Sequence, residues 1–326
     1  MALYKRLKAQ GARGLLDRHP RVKGVMKRAL IERNHLRQTH RSQPFGKRKY
    51  YIIRYDNEFS PGWAVWQQVV LYQSIYAERH GMIPVVDMKN YPNMYQEDGD
   101  LGSVNTWDTY FEQPGGVSLE EAYASGDYVI SDGTMDWFSY VRIDVHGVLT
   151  PEYVWSRCHR YVRLNDETGR LLEKGYRSLF PDDEEHRLVG MVIRGTDYKT
   201  FHHPRQPSPA EVAESARFAF VAYDCDYYYV ATEDRGIFRE VCGLLPSQKL
   251  LSYKAGTVED DGGLVGEKIR SRESARRASL DYLQILYNLS RCVALIGGRS
   301  GATDISRFAC ERPYEFLNIF QYEERY

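Results

Sequence analysis

The chain lacks the features that define several large protein classes. Its five cysteines, among 326 residues, are dispersed and never stand in CxxC spacing, which argues against a disulfide framework or a structural zinc site. No apolar run approaches the length of a transmembrane helix, and the N-terminal region has no apolar core of a signal peptide. No GxGxxG motif follows the first predicted strand, and neither GKS nor GKT occurs. A simple dehydrogenase or a P-loop ATPase is therefore disfavoured.

Charge is balanced over the whole chain but not along it. Residues 1–48 contain 14 Lys and Arg residues against only Asp17 and Glu32, which leaves 30 basic and 42 acidic residues in the remainder. We interpret 1–48 as a basic N-terminal extension, either a solvated tail or a segment that docks on anionic lipid headgroups. The expected location is cytoplasmic, with peripheral contact at the inner membrane face as the membrane alternative. We expect no nucleic-acid partner.

Strand and helix signals alternate along the rest of the chain. Tyr50–Tyr55 is rich in β-formers, a helical pattern follows, and Gly81 ends it before a second strand at Ile83–Asp87. Such a βαβ unit normally builds a parallel sheet. After a helical middle the alternation restarts near residue 188. The pattern predicts an α/β fold of two Rossmann-like domains, 49–176 and 177–326, facing across a cleft.

The second half carries the clearest element signals. Its predicted strands and helices, in chain order, are Leu188–Arg194, Pro209–Ala222, Tyr227–Thr232, Ile237–Leu244, Lys249–Ser252, Ser274–Ser290 and Cys292–Ile296. In the first half, the stretch 90–116 is rich in Tyr, Asn, Gly and Asp, and is predicted to be a long surface loop that carries recognition.

Three short motifs follow predicted strands of the second half. They are Arg194-Gly-Thr-Asp197, Thr232-Glu-Asp234 and Gly297-Gly-Arg-Ser-Gly-Ala-Thr303. In open α/β sheets, ligands bind at the carboxyl ends of the strands. The last motif is rich in glycine and precedes a helix, so its N–H groups can hold phosphate oxygens. Glycine in such a turn can equally serve backbone geometry alone.

Arg194 at the mouth of a strand has two readings. Its charge is costly to desolvate unless it is paired, so either Asp197 satisfies it internally or it receives an anion such as a diphosphate. The sequence leaves both open.

Two patterns could suggest a metal site. The DxD pattern at Asp224–Asp226 precedes its predicted strand and so lies at the opposite edge of the sheet from the three motifs. His202 and His203 are adjacent in the chain, and adjacent residues rarely share an ion without other ligands nearby. We predict no metal.

The motifs, read with their flanks, resemble a known family. VIRGTDY followed by FHHP, then YYYVATEDRGIFREV, then DYLQILYNLSRCVALIGGRSGA are similar in order and spacing to motifs of the bacterial branch of the fucosyltransferase superfamily. That group holds α-1,6-fucosyltransferases, nodulation fucosyltransferases and protein O-fucosyltransferases. The resemblance covers about residues 188–308 and, more loosely, the first βαβ unit with its PGWAVWQQ turn. It implies a GT-B-like fold, a GDP-sugar donor, inversion at the anomeric carbon and no metal.

The resemblance also implies roles for individual residues. Arg194 matches the arginine that grips the β-phosphate of the donor, and Asp197 matches the acid that follows it. Glu233 and Asp234 occupy the place of an acidic pair on the nucleotide side, and Ser300 matches the serine of a phosphate loop. The donor-binding residues expected on this basis are Gly195, Thr196, Glu233, Asp234, Gly297, Gly298, Arg299, Ser300, Gly301 and Thr303.

The sequence departs from the family pattern around the acceptor step. The histidine that many members place two residues before the arginine is Val192 here, and the acid that some members use as a base after Asp197 has no counterpart. His203, His202 or an unpaired Asp197 can take the proton of the acceptor. For either histidine, a packing or turn role is the alternative.

On the acceptor side, the turn before the first helix is the expected contact. Gly62 forms that turn, and Asn57, Trp63, Trp66 and the Tyr91–Tyr110 loop are expected to offer stacking faces and hydrogen bonds to a glycan or glycolipid. The predicted activity is that of a metal-independent inverting glycosyltransferase that moves fucose from GDP-fucose to a glycan hydroxyl, without a cofactor. The alternatives are another donor, GDP-mannose or a UDP-sugar, or a binding protein without transfer activity.

Overall fold

A computed structural model gives the fold of most of the chain. It describes residues 49–55, 62–97, 99–131, 149–182, 184–195, 198, 203, 205–253 and 275–322. The basic extension 1–48 lies outside the described residues, so its docking on lipid stays a prediction. No helix of the described ranges is both long enough and apolar enough to span a bilayer.

The described residues form eight strands and nine α-helices. The strands are β1 (Tyr50–Ile53), β2 (Ile83–Val86), β3 (Tyr128–Ile130), β4 (Leu188–Val192), β5 (Tyr227–Ala231), β6 (Leu250–Ser252), β7 (Ala294–Gly298) and β8 (Phe316–Phe320). The helices are α1 (Trp63–Arg79), α2 (Thr106–Tyr110), α3 (Leu119–Ala124), α4 (Pro151–Tyr161), α5 (Asp166–Arg177), α6 (Pro209–Ala222), α7 (Arg235–Leu244), α8 (Ala275–Ser290) and α9 (Gly301–Ala309).

The strands make two parallel sheets, which confirms the predicted α/β class. The first sheet has the order β2-β1-β3 and the second the order β6-β5-β4-β7-β8. The predicted βαβ unit is present, since β1 and β2 pair in parallel on either side of α1. All five residues of β4, the central strand of the larger sheet, are buried. This fits its almost wholly apolar sequence, because helices cover both faces of most parallel sheets.

Helix α1 lies deep in the molecule and is buried around almost its whole circumference. A helix that is buried on all sides must be covered by several elements. It packs against β1 and β2 of the first sheet, and against α4, α8 and α9 further along the chain. One buried cluster accordingly contains Tyr51 and Ile53 of β1 together with Leu188 and Val192 of β4. The two halves of the chain therefore share a hydrophobic core.

The stretch predicted to be a surface loop is partly interior, so that prediction was wrong. It contains α2, and Trp107 and Tyr110 are buried within that helix. The ring of Tyr95 stacks on Trp63 of α1 at 4.7 Å between centroids. Aromatic rings bury a large apolar area, and here that area outweighs the loop-like composition of the stretch.

Candidate functional site

The sheet order brings the three sequence motifs together. β4 is the middle strand, with β5 on one side and β7 on the other. The motifs follow these three strands, which are parallel, so all three lie at the carboxyl edge of the larger sheet. Val192 pairs with Gly297 across the β4–β7 register. The arginine motif and the glycine turn are thus neighbours, as a ligand site at this edge requires.

Arg194 forms an ion pair with a different acid from the one considered in its own motif. Its Nη1 atom lies 3.1 Å from Oε2 of Glu233, and the two side chains are 20% and 11% exposed. The other carboxylate oxygen of Glu233 accepts a hydrogen bond of 3.1 Å from the N–H of Gly195. One carboxylate therefore fixes both the guanidinium and the backbone beside it. Asp197, the other candidate partner, lies outside the described residues, as do Thr196 and His202.

Two aromatic rings extend this arrangement. The guanidinium carbon of Arg194 lies 5.2 Å from the centroid of the Tyr198 ring, a cation–π distance. His203 packs on the same tyrosine at 4.6 Å between ring centroids, and the backbone N–H of His203 donates to the carbonyl of Tyr198. The structure thus brings His203, one of the predicted bases, to the neighbourhood of Arg194.

Asp234 has a structural role in this site. It caps α7, where its Oδ1 atom accepts a 3.0 Å hydrogen bond from the N–H of Ile237. A carboxylate at a helix N-terminus satisfies an otherwise unpaired donor. Gly195 packs directly against it, because a Cβ atom at position 195 would lie 2.4 Å from Oδ2 of Asp234. Of the predicted acidic pair, Glu233 therefore contacts the arginine and Asp234 shapes the turn.

The glycines of the third motif are required by close packing. A Cβ on Gly297 would lie 2.3 Å from the carbonyl oxygen of Val192, and one on Gly298 would lie 2.7 Å from Cδ of Pro207 and 2.0 Å from Oε1 of Gln206. Real side chains do not tolerate such approaches. Gln206, which sequence analysis did not single out, also donates from Nε2 to the carbonyl of Arg299 at 3.2 Å. The side chain of Arg299 itself is exposed.

The hydroxyl groups of the third motif belong to a helix cap. Ser300 is the N-cap of α9, and its Oγ atom accepts from the N–H of Thr303 at 3.2 Å. In return, Oγ1 of Thr303 accepts from the N–H of Ser300 at 2.9 Å. The first-turn N–H groups of Gly301 and Ala302 have no carbonyl acceptor inside the helix. They are the backbone donors that this turn can present to an anion.

The N-termini of α1 and α9 meet at this point. A Cβ on Gly301 would lie 3.3 Å from Cγ2 of Val65 and 3.6 Å from Cβ of Ala64. Gln68 of α1 donates from Nε2 to the carbonyl of Gly301 at 2.9 Å. Each helix N-terminus carries about half a positive charge. Two of them side by side, with Arg194 just beyond the end of β4, make a region that favours an anion.

The predicted acceptor residues need correction. Trp63 and Trp66 are 0% and 1% exposed, so neither can offer a stacking face to a sugar; their apolar rings are part of the shared core instead. Asn57 lies outside the described residues. Gly62 is the N-cap of α1, and a Cβ there would lie 3.0 Å from the ring of Tyr282. Tyr282, on α8, is therefore the half-buried ring at this turn.

Two tyrosines near the site are held neutral. Burial raises the pKa of Tyr95 well above its usual value, and its hydroxyl accepts from the N–H of Trp63 at the start of α1. Burial, together with a hydrogen bond to Asp281, raises the pKa of Tyr253 to about 12. Tyr253 donates this 2.9 Å bond to Asp281 of α8. Among the described residues, no three His, Cys, Asp or Glu side chains are grouped to hold a metal ion.

The fold resembles solved fucosyltransferases. The crystal structure of the fucosyltransferase NodZ from Bradyrhizobium superposes with a TM-score of 0.50 at 14% sequence identity, covering 85% of this chain and 96% of that chain. NodZ α-1,6-fucosyltransferase co-crystallised with GDP gives the same four values. The chain has the fold of the NodZ fucosyltransferases. This confirms the resemblance seen in the sequence at the level of fold. No protein-family model and no curated protein sequence matches the chain.

Proposed function

We propose that this protein is a metal-independent inverting glycosyltransferase that transfers fucose from GDP-fucose to a hydroxyl of a glycan or glycolipid. The observation that carries the proposal is the position of Arg194. Its side chain is anchored by Glu233 at 3.1 Å, and it lies two residues beyond β4, the strand that pairs with β7 at the start of the glycine turn. Its chemistry suits a diphosphate, because a guanidinium is permanently charged and binds phosphate oxygens in pairs. A NodZ structure with this fold binds GDP.

In this proposal the two halves of the chain divide the work in a GT-B-like arrangement. The second half, 177–326, holds the donor, with the diphosphate against Arg194 and the first turn of α9. The first half, 49–176, receives the acceptor beside the turn at Gly62. No cofactor takes part, since the nucleotide sugar is the substrate.

The reaction forms one bond and breaks another. The acceptor oxygen attacks the anomeric carbon from the face opposite GDP, the bond between that carbon and the β-phosphate oxygen breaks, and GDP leaves with the electron pair. The acceptor proton passes to a base, and His203 is the candidate base that lies within the described residues. Negative charge grows on the β-phosphate as the bond breaks. Arg194 stabilises that charge more in the transition state than in the bound donor, which accelerates the step.

The test is a donor and acceptor panel with the full chain. We expect GDP and GDP-fucose to raise the melting temperature more than UDP-sugars or GDP-mannose, because a ligand that binds the folded state stabilises it. We also expect GDP-fucose to be consumed when an oligosaccharide is added. A larger rise in melting temperature with another nucleotide sugar would identify that sugar as the donor instead. GDP binding without any transfer would indicate a nucleotide-binding protein that has no transferase activity.

Arg194→Ala tests the mechanism itself. Removing one preorganised contact to developing charge costs about 3–4 kcal/mol, so we expect transfer to fall by roughly two to three decades while the fold stays intact. Initial rates of GDP release measure the effect. Arg187→Ala is the matched control, because Arg187 lies at the opposite end of the same strand and pairs with Glu315. Full turnover by Arg194→Ala would refute the assignment.

A further inference from the structure

Two buried glutamines donate hydrogen bonds to the glycine turn. Gln68, on α1, and Gln206, just before α6, are each only 4% exposed. Nε2 of Gln68 donates to the carbonyl of Gly301 at 2.9 Å and to the carbonyl of Ala64 at 3.1 Å. Nε2 of Gln206 donates to the carbonyl of Arg299 at 3.2 Å. Both amides therefore bind backbone carbonyls of the turn, and they come from different halves of the chain.

These bonds fix the directions of particular N–H groups. A peptide unit is planar, with its C=O and the following N–H pointing in opposite directions. The bond from Gln68 to the Gly301 carbonyl therefore orients the N–H of Ala302, one of the two first-turn donors of α9. The bond from Gln206 to the Arg299 carbonyl orients the N–H of Ser300, which holds Thr303 in the cap at 2.9 Å.

We propose that Gln68 and Gln206 are positioning residues for the donor diphosphate. Before the donor binds, Gln68 holds the peptide plane that directs the N–H of Ala302 at the phosphate, and Gln206 holds the plane that keeps the N–H of Ser300 in the α9 cap. This inference rests on the proposed GDP-sugar donor. The physical gain is preorganisation, since donors that already point at the ligand need no ordering when it arrives. The side chain of Gln68 also makes the first half of the chain part of the donor site.

The chain supplies a matched control. Gln284, on α8, is 4% exposed as well, and its Nε2 atom donates to the carbonyl of Leu172 at 2.9 Å and to Oδ1 of Asn288 at 2.7 Å. It is thus a buried glutamine amide that bonds to a backbone carbonyl, like the other two, but it joins α8 to α5 and does not contact the turn. Replacing Gln284 removes a comparable buried hydrogen bond, but it is not expected to change donor binding.

The experiment compares Gln68→Met, Gln206→Met and Gln284→Met in the full chain. Methionine keeps much of the length of glutamine but cannot donate. We expect GDP binding, measured by isothermal titration, to weaken about 3- to 10-fold in the first two variants, because a lost hydrogen bond has that magnitude. In Gln284→Met we expect a change in GDP affinity of less than about 2-fold. Urea unfolding is expected to show a similar loss of stability in all three variants.

The inference would be overturned if GDP binding weakened equally in all three variants, or if it did not weaken in Gln68→Met and Gln206→Met. Amide hydrogen exchange of residues 299–303 without nucleotide supplies a readout that does not depend on the donor. The two turn variants are expected to exchange faster there, and Gln284→Met is not. If the native protein bound no GDP, the proposed function would fail while exchange still tested the glutamines. Unchanged exchange in Gln206→Met would refute the positioning role even if Gln68→Met did not fold.

Discussion

Arg194 and Glu233 show how one ion pair can have two opposing effects at a phosphate site. The carboxylate cancels part of the positive charge, but it also fixes the guanidinium through Nη1 and fixes the adjacent backbone through the N–H of Gly195, each at 3.1 Å. Arginine loses considerable rotamer freedom when it is ordered. An arginine that is already ordered meets the leaving phosphate at a smaller entropic cost, so the anchor is expected to outweigh the lost charge.

Glu233→Gln therefore should lower kcat by about 10-fold or more, in line with about 1.5–3 kcal/mol for a hydrogen bond between charged groups. GDP affinity should change less, because the substitution also removes a negative charge near the diphosphate. Steady-state kinetics and titration separate the two effects. Glu315→Gln, which removes the ion-pair partner of Arg187 at the amino edge of the sheet, is the control. An unchanged kcat in Glu233→Gln would contradict the anchoring role.

Among the helices, α6 and α9 begin in the same way but in different surroundings. Ser208 caps α6 in a box with Glu211, and Ser300 caps α9 in a box with Thr303. Only the second cap lies in the glycine turn beside the arginine site. Ser300, the serine that matches a phosphate loop, therefore orders the turn by capping α9. The first-turn N–H groups of α9 remain available to bind the phosphate.

The two caps give a paired prediction. Ser208→Ala and Ser300→Ala should each lower the free energy of unfolding by about 1 kcal/mol, the usual loss when a capping serine is removed. GDP affinity should fall only in Ser300→Ala, by a few-fold. Chemical denaturation and titration of both variants measure the two quantities. Equal GDP affinity in the two variants would mean that the α9 cap does not shape the site.

The elements themselves show what local pattern can and cannot predict. The helix predicted at Pro209–Ala222 occurs with these bounds, because its apolar spacing and capping residues are local signals. The strands β3 and β8 were not predicted. Tyr128–Ile130 has only three residues and pairs with β1, and Phe316–Phe320 pairs with β7. Both depend on an open edge supplied by a distant strand, which pattern alone does not reveal.

At the scale of the whole molecule, the site was predictable in part. The carboxyl-edge rule brought Arg194, Glu233 and the glycine turn together, since it needs only the order of strands and motifs. Other features depend on how distant helices pack against one another. These are the burial of Trp63 and Trp66 and the contacts of Gln68 and Gln206 with the glycine turn. Such contacts between distant parts of the chain leave no periodic signal in the sequence.

The shared core predicts cooperative unfolding. Residues of β1 and β4 belong to one buried cluster, and α4 is tied to the end of α9 by the indole N–H of Trp155, which donates to the carbonyl of Cys310 at 2.9 Å. We expect a single calorimetric transition with equal calorimetric and van't Hoff enthalpies. The fragments 49–176 and 177–326, made separately, should show no such transition. Two resolved transitions, or a folded fragment, would show independent halves.

The deep burial of α1 also has a consequence for biosynthesis. Its large apolar side chains, among them Trp63 and Trp66, leave the ribosome well before α9, which covers part of the helix and is made more than 200 residues later. At about 5–20 residues per second, roughly 10–45 s pass before that cover exists. During this interval the apolar side chains of the helix are exposed on the nascent chain, where they favour aggregation unless a chaperone covers them.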